Sequence, residues 1–127
     1  MRRRPFLLGA AAAPAALAPV AARAFPERPI RIVVPYAAGG ATDVAARVLA
    51  EALGAALTQP VVVENRSGAA GMVGVEAVAR SPADGHTLLL NNTSQAALRV
   101  VAPNPGLDPH RALVPVTVLS EMPMVML

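Results

Sequence analysis

The stretch IRIVVPYAAGGATDVAARVLAEAL, residues 30 to 53, changes its hydrophobic period near its middle. Ile30 to Val34 is a run of mostly β-branched apolar residues, which predicts a short buried strand that ends at Pro35. From Thr42 onward, the apolar residues recur at helical spacing, and Gly39-Gly40 lies between the two patterns. The stretch therefore predicts a strand, a glycine turn and a helix.

The helical half carries two apolar rows at i,i+4 spacing, which together form a broad apolar stripe. The rows are Val44, Val48, Ala52 and Ala56, and Ala45, Leu49, Leu53 and Leu57. Asp43, Arg47 and Glu51 form a third row, which we interpret as a solvated face with weak i,i+4 charge pairing. Thr42 is the predicted N-cap, and Asp43 lies where the helix dipole favours an anion.

The rest of the chain continues the alternation of strands and helices. The predicted elements are a strand at Val61 to Val63, a turn-rich loop at Asn65 to Gly71, a helix from about Val73 to Arg80, a strand at Thr87 to Leu90, a polar loop at Asn91 to Gln95, a short helix at Ala96 to Val101, and a fourth strand beginning at Val114 to Leu119. Short connections between alternating elements predict right-handed crossovers and a parallel sheet. The fold class is α/β.

The composition excludes several classes of function. The formal net charge is +3, but four Arg precede the first acidic residue, Glu27, and the remainder has seven Arg against eight acidic residues. A near-neutral body with one Tyr, two Phe and no Trp offers neither a basic surface nor stacking platforms for nucleic acid. The absence of Lys excludes Schiff-base and P-loop chemistry, and the absence of Cys excludes disulfides and Cys-ligated metals.

Residues 1 to 24 have the pattern of a secretory signal peptide. A basic start precedes an Ala- and Leu-rich segment, and Ala22-Arg23-Ala24 fits a small-x-small cleavage site. The apolar run from Phe6 to Ala22 is short and broken by prolines, which disfavours a transmembrane helix. Residues 3 to 7, RRPFL, fit the twin-arginine export pattern, and the three adjacent arginines also suit the general secretory route. We expect residues 25 to 127 to work in a bacterial periplasm.

Three loops follow the predicted strands, at the sheet edge where parallel sheets collect their ligands. They are Tyr36 to Ala41, Asn65 to Gly71, and Asn91 to Gln95. Their Gly, Ala, Ser, Thr and Asn residues let a ligand approach the backbone and supply neutral donors for a carboxylate or phosphate oxygen. Arg66 is the one permanent cation in these loops.

Other chemistries match the sequence less well. The glycine spacing does not satisfy G-x-G-x-x-G, and no G-x-S-x-G nucleophile elbow is present. We expect His86 and His110 to be surface or loop residues, because neither has a Cys, Ser or carboxylate partner at a spacing typical of a catalytic or metal site. The sequence therefore predicts no catalytic residue, no metal site and no cofactor.

Four ordered blocks of sequence resemble the Bug-type periplasmic solute-binding proteins, the receptors of tripartite tricarboxylate transporters. The blocks are PYAAGGATD with Ala46-Arg47 after it, QPVVVENR from Gln59, GAAG from Gly68 with Gly74 after it, and ADGHTL from Ala83. Arg111-Ala112 departs from the family, which usually has an acidic-aromatic pair there. The resemblance implies a periplasmic-binding-protein-like (type II) fold of two lobes, with residues 25 to 127 as an incomplete part of the first lobe.

The resemblance also implies a site and partners. A carboxylate of a small organic acid or amino acid would be bound through backbone amides, small side chains and bridging water. The matching positions are Tyr36, Ala38, Gly39, Gly40, Thr42, Asp43, Ser67, Gly68, Ala69, Thr93 and Ser94. We assign Asp43 to bracing the helix start, because a carboxylate facing an anionic ligand would repel it. Membrane permease subunits would be partners, without nucleic acid and without stable membrane insertion after signal removal.

The sequence stops within an apolar run, residues 123 to 127, and we expect it to be an N-terminal fragment truncated before the second lobe. Such a fragment would bind its ligand weakly or not at all. Two other functions stay open. A small periplasmic protein could dock a permease or sensor through an exposed apolar end, and an exported α/β enzyme would need a nucleophile or an acid–base pair.

Overall fold

A computed structural model describes residues 24–94 and 107–121. Its elements are β1 (Ile30–Val34), α1 (Ala41–Leu57), β2 (Val61–Asn65), a 3-10 turn (Ala69–Gly71), α2 (Met72–Ala79), β3 (Thr87–Leu89) and the short helix α3 (Pro109–Ala112). The predicted signal, apart from Ala24, and the helix predicted at 96–101 lie outside the described residues. Over the described part of the chain, no helix combines the length and apolarity needed to cross a bilayer.

The three strands form one parallel sheet in the order β2-β1-β3. Ile32 is in register with Val63 on one side and with Leu88 on the other, so β1 is the central strand. This arrangement confirms the predicted α/β fold. The second strand extends two residues beyond the predicted Val63 and ends at Asn65.

Both faces of β1 are covered by a helix. Ile32 and Val34 pack with Ala46 and Ala50 of α1 in one apolar cluster. Successive residues of a strand point to opposite faces, so Val33, which is fully buried, points away from α1.

Helix α2 covers that second face. Its buried residues Met72 and Val75 pack against Leu89 of β3. Leu89 is paired in register with Val33, and laterally paired residues of a parallel sheet share a face. The sheet therefore lies between α1 and α2, as parallel sheets require.

The buried face of α1 is rotated from the predicted stripe. Its buried residues are Asp43, Ala46 and Ala50, whereas Val44 and Val48 are 55% and 65% exposed. The part of the predicted apolar stripe that Val44 and Val48 form is therefore exposed, and the solvated position predicted for Asp43 is wrong. Small residues at 46 and 50 let the helix axis lie close to β1, which large side chains would prevent.

The fourth strand predicted at Val114–Leu119 is not formed. This segment has no strand pairing in the structure, and Val114 and Val116 are 87% and 83% exposed. Alternating valines suit a strand, but a strand needs a neighbour to satisfy its backbone groups. No such neighbour lies beside this segment within residues 24–94 and 107–121.

Candidate functional site

The carboxyl ends of the three strands meet at one edge of the sheet, because all three run in parallel. The loop after β1 lies between the loops after β2 and β3, since β1 is central. The edge predicted to collect a ligand therefore exists, and the β1–α1 loop is its middle part.

Helix α1 begins at this edge. It starts at Ala41 with Gly40 as its N-cap, so the prediction of Thr42 as N-cap is wrong. Gly39 has a φ of +86°, which turns the chain into the helix and which a residue with a side chain rarely adopts. The first N–H groups of a helix have no carbonyl partner within it, and those of α1 lie where the middle loop ends.

Asp43 braces this helix start, as the sequence reasoning assigned. Its side chain is only 3% exposed. Oδ2 accepts hydrogen bonds from the Gly39 N–H at 2.8 Å and from Arg47 Nε at 3.0 Å. Oδ1 accepts a hydrogen bond from Asn65 Nδ2 at 3.0 Å. Both oxygens of the carboxylate are thus directed at protein donors.

These donors also set the protonation state of Asp43. The hydrogen bond from Arg47, then that from the Gly39 amide and that from Asn65, lower the pKa of Asp43 to about 2. The carboxylate is therefore ionised at neutral pH and paired with the Arg47 guanidinium at 3.0 Å. Its charge is compensated within the protein instead of being presented to a ligand.

Asn65, the last residue of β2, ties the second strand to the middle loop. Besides its bond to Asp43, Nδ2 donates to the Tyr36 carbonyl at 3.2 Å, and Oδ1 accepts from Arg47 at 3.3 Å. Asn65 was not among the predicted site residues. The feature that could have identified Asn65 as a site residue is its position at the carboxyl end of a strand beside the site.

The Tyr36 hydroxyl ties the middle loop to the loop after β3. It donates to the Asn91 side chain and lies 2.8 Å from Asn92 Oδ1 and 2.8 Å from Ser94 Oγ. Two predicted site residues, Tyr36 and Ser94, are therefore in contact. Thr93 lies between Asn92 and Ser94 in this loop and is exposed. Asn91 and Asn92 were missed, because nothing in the sequence shows which side chains Tyr36 reaches.

The loop after β2 contains a left-handed turn. The φ angles of its four central residues, Gly68, Ala69, Ala70 and Gly71, are +135°, +46°, +56° and +97°. The Gly71 N–H closes the turn on the Gly68 carbonyl at 2.8 Å. Ser67, Gly68 and Ala69 are exposed in it. Two alanines in the left-handed region are strained, a feature that clusters at binding loops.

Arg66, identified from the sequence as the one permanent cation of these loops, is ion-paired. Its Nε lies 2.6 Å from Glu64 Oε1, and Glu64 Oε2 lies 3.3 Å from Arg31. The Glu64 carboxylate thus lies between the guanidinium groups of Arg31 and Arg66 and pairs with both.

Of the two positions expected for His86, surface or loop, the loop is confirmed and the surface is wrong, because His86 lies buried in the bend before β3. The residue is 5% exposed, and its ring packs against that of Phe25 with centroids 4.8 Å apart. Nδ1 lies 3.1 Å from the Asp84 carbonyl. His86 directly precedes β3, so it lies at the amino edge of the sheet, away from the three loops. The chain before β1 covers it, which the sequence pattern did not reveal.

Known proteins are similar to this chain in sequence and in fold. The profile of the family described as "Tripartite tricarboxylate transporter family receptor" matches residues 45–127. BugT of Bordetella pertussis is 46% identical over 112 residues, which are 86% of this chain and 34% of that protein. The chain spans about a third of the length of the curated relatives that it matches.

Solved structures agree with this match. The periplasmic binding protein BugD is 46% identical, with a TM-score of 0.62 over 67% of this chain and 28% of that one. An R. palustris protein solved with adipate is 38% identical, with a TM-score of 0.64 over 68% of this chain and 29% of that one.

Proposed function

Because this chain belongs to the tripartite tricarboxylate transporter receptor family, we propose that its three-loop edge binds a carboxylate of a small organic acid or amino acid. The bound acid would be passed to the membrane permease of a transporter. A periplasmic location after removal of residues 1 to 24 is part of the same proposal, and a relative described as a periplasmic binding protein supports it.

The network between the loops carries this proposal. Asn65 joins the second loop to the first, and Tyr36 joins the first to the third, with the start of α1 between them. Asp43 turns its charge inward to three donors, so its carboxylate does not oppose an anion at the edge, where the loops offer amides and hydroxyls. Donors that are fixed before binding cost little to order, which favours an anionic oxygen there.

The proposed contacts are those that the family resemblance implied. The residues are Tyr36, Ala38, Gly39, Gly40 and Thr42 in the first loop, Ser67, Gly68 and Ala69 in the second, and Thr93 and Ser94 in the third. Asp43 belongs to the site as a brace.

Titration with dicarboxylates, followed by amide NMR, tests the proposal. Adipate, malate and succinate should shift the amides of Gly39, Gly40 and Gly68 saturably, whereas the uncharged diamide of adipic acid should not. Thr42→Ala should weaken the shifts, and Thr58→Ala, at the other end of α1, should leave them unchanged. Equal shifts from the diamide, or none at the three glycines, would refute carboxylate binding at this edge.

A second candidate function rests on a different surface. Val114, Val116 and Val118 form an exposed apolar row, which favours docking to a permease or sensor. Such a protein should co-purify with a membrane partner in the absence of any acid. A chain that elutes alone from solubilised membranes, with or without ligand, would remove this alternative.

A further inference from the structure

We propose that Asn65 is the positioning residue that holds the β1–α1 loop in its binding conformation, an inference that rests on the proposed carboxylate site. Asn65 reaches the loop from a different strand. Its role is to fix the loop backbone and the Asp43 brace together, without touching the ligand itself.

The Asn65 side chain uses all of its polar atoms inside the protein. Its amide nitrogen donates to the Tyr36 carbonyl at 3.2 Å and to Asp43 Oδ1 at 3.0 Å. Its carbonyl oxygen accepts from Arg47 at 3.3 Å. An amide has two donor hydrogens and one acceptor oxygen, so no other uncharged side chain of this length makes the same three bonds.

These bonds restrain the loop at both of its ends. The Tyr36 carbonyl, at its start, is held by Asn65 directly. The Gly39 N–H, near its end, is held by Asp43, which Asn65 also contacts. Packing adds little there, because a Cβ placed on Gly39 would meet no atom within 4 Å. Hydrogen bonds, and not packing, therefore hold the loop at Gly39.

The local charges explain why an amide suits this position. Asp43 and Arg47 of α1 face the Asn65 side chain directly. Its chain neighbours Glu64 and Arg66 pair with each other at 2.6 Å. A carboxylate at position 65 would lie about 3 Å from that of Asp43, where two like charges repel strongly.

Asn65→Ala tests the role without any ligand. We expect hydrogen exchange of the Gly39 amide to accelerate about tenfold or more, because the brace that holds it is loosened. The pKa of Asp43, followed by the carboxyl carbon signal, should rise from about 2 because one donor is lost. The dissociation constant for adipate should rise about tenfold. Gln59→Ala, just before the opposite end of β2, is the matched control and should change none of the three.

Asn65→Asp should make hydrogen exchange at Gly39 depend on pH, which a purely structural role of Asn65 would not do. At pH 7 the introduced carboxylate should repel Asp43 and release the loop. Near pH 4.5 the two carboxyls should share a proton, so that a donor faces Asp43 again and slow exchange at Gly39 returns. The wild type should exchange equally at both pH values once the intrinsic rates are corrected. Gln59→Glu adds the same charge away from the loop and should show no such recovery.

The outcomes are separable. Unchanged Gly39 exchange and Asp43 titration in Asn65→Ala would overturn the role of Asn65. If that variant does not fold, Asn65→Asp at the two pH values decides the question, and exchange that stays fast at pH 4.5 overturns it. If the wild type binds no dicarboxylate, the proposed function fails while the exchange and titration still decide the role of Asn65.

Discussion

Gly74 shows how a single missing side chain sets the distance between two elements. A Cβ on this residue of α2 would lie 2.8 Å from Pro35 Cβ, 3.0 Å from Pro35 Cα and 3.1 Å from the Arg66 carbonyl oxygen. Two of these three atoms belong to the backbone and cannot rotate away. The glycine therefore lets α2 lie directly against the start of the middle loop.

We predict that Gly74→Ala lowers the free energy of unfolding by about 1–3 kcal/mol, the usual effect of overpacking. Urea denaturation would measure it. The matched control is Gly54→Ala in α1, where a Cβ would lie 3.5 Å from the Gln59 carbonyl, an ordinary contact. That control should gain about 0.5–1 kcal/mol from helix propensity. Equal effects of the two substitutions would contradict the tight packing at Gly74.

Asp43 should make stability depend on pH in the acid range. Its pKa is about 2 in the folded state, against about 3.9 when the chain is unfolded. Because folding lowers the pKa, the stabilisation by the ionised form is complete above the unfolded value and is lost as the pH falls toward 2.

The measurement is the melting temperature of the wild type and of Asp43→Asn between pH 7 and pH 2. The difference between the two proteins should be largest at neutral pH and should shrink below about pH 4. Other carboxyls, including Asp84, are common to both proteins and cancel in the difference. A difference that stays constant over this range would contradict the pKa of Asp43.

At the level of elements, the period of the sequence predicted where α1 runs but not which side it buries. The eight apolar residues of the two rows occupy a broad arc of the helix, and the row of Val44 and Val48 lies on its exposed side. The orientation is set by close packing of Ala46 and Ala50 on Ile32 and Val34 and by the bonds of Asp43 to distant residues. Neither appears in the local pattern.

Two substitutions, one on each side of α1, test the orientation of this helix. Val48→Glu should change the free energy of unfolding by less than about 0.5 kcal/mol, because the side chain is exposed. Ala46→Glu should cost about 3 kcal/mol or more, because it places an unpaired charge in the core. Thermal and urea unfolding would check both. Similar losses at the two positions would contradict this orientation of α1.

For the whole molecule, the alternation of elements was enough to predict the parallel sheet, its three loops and the edge at which they meet. What joins those loops was not predictable, because Asn65 lies 22 residues from Asp43 and Asn92 lies 56 residues from Tyr36. The failed fourth strand has a similar cause. Its valine pattern has the right period, but pairing depends on a neighbour elsewhere in the chain.

The exposed valines should make this 127-residue chain self-associate. Val114, Val116 and Val118 present apolar surface to water, and such surface favours contact between molecules. Replacing all three by Thr should lower the average mass seen by sedimentation at high protein concentration, with little change in melting temperature. Replacing exposed Ala55, Ala56 and Glu51 of α1 by Thr is the control. A sedimentation profile unaffected by the valine changes would exclude this surface as the cause.

The central place of β1 also governs the order in which the chain can fold. Of the three described strands it is synthesised first, yet Arg31 has its lateral neighbours at Val62 and Thr87. Its backbone groups on the β3 side stay unpaired until more than fifty further residues have been made, and closing so long a loop is entropically slow. The strand that carries the middle loop is therefore begun early and completed late.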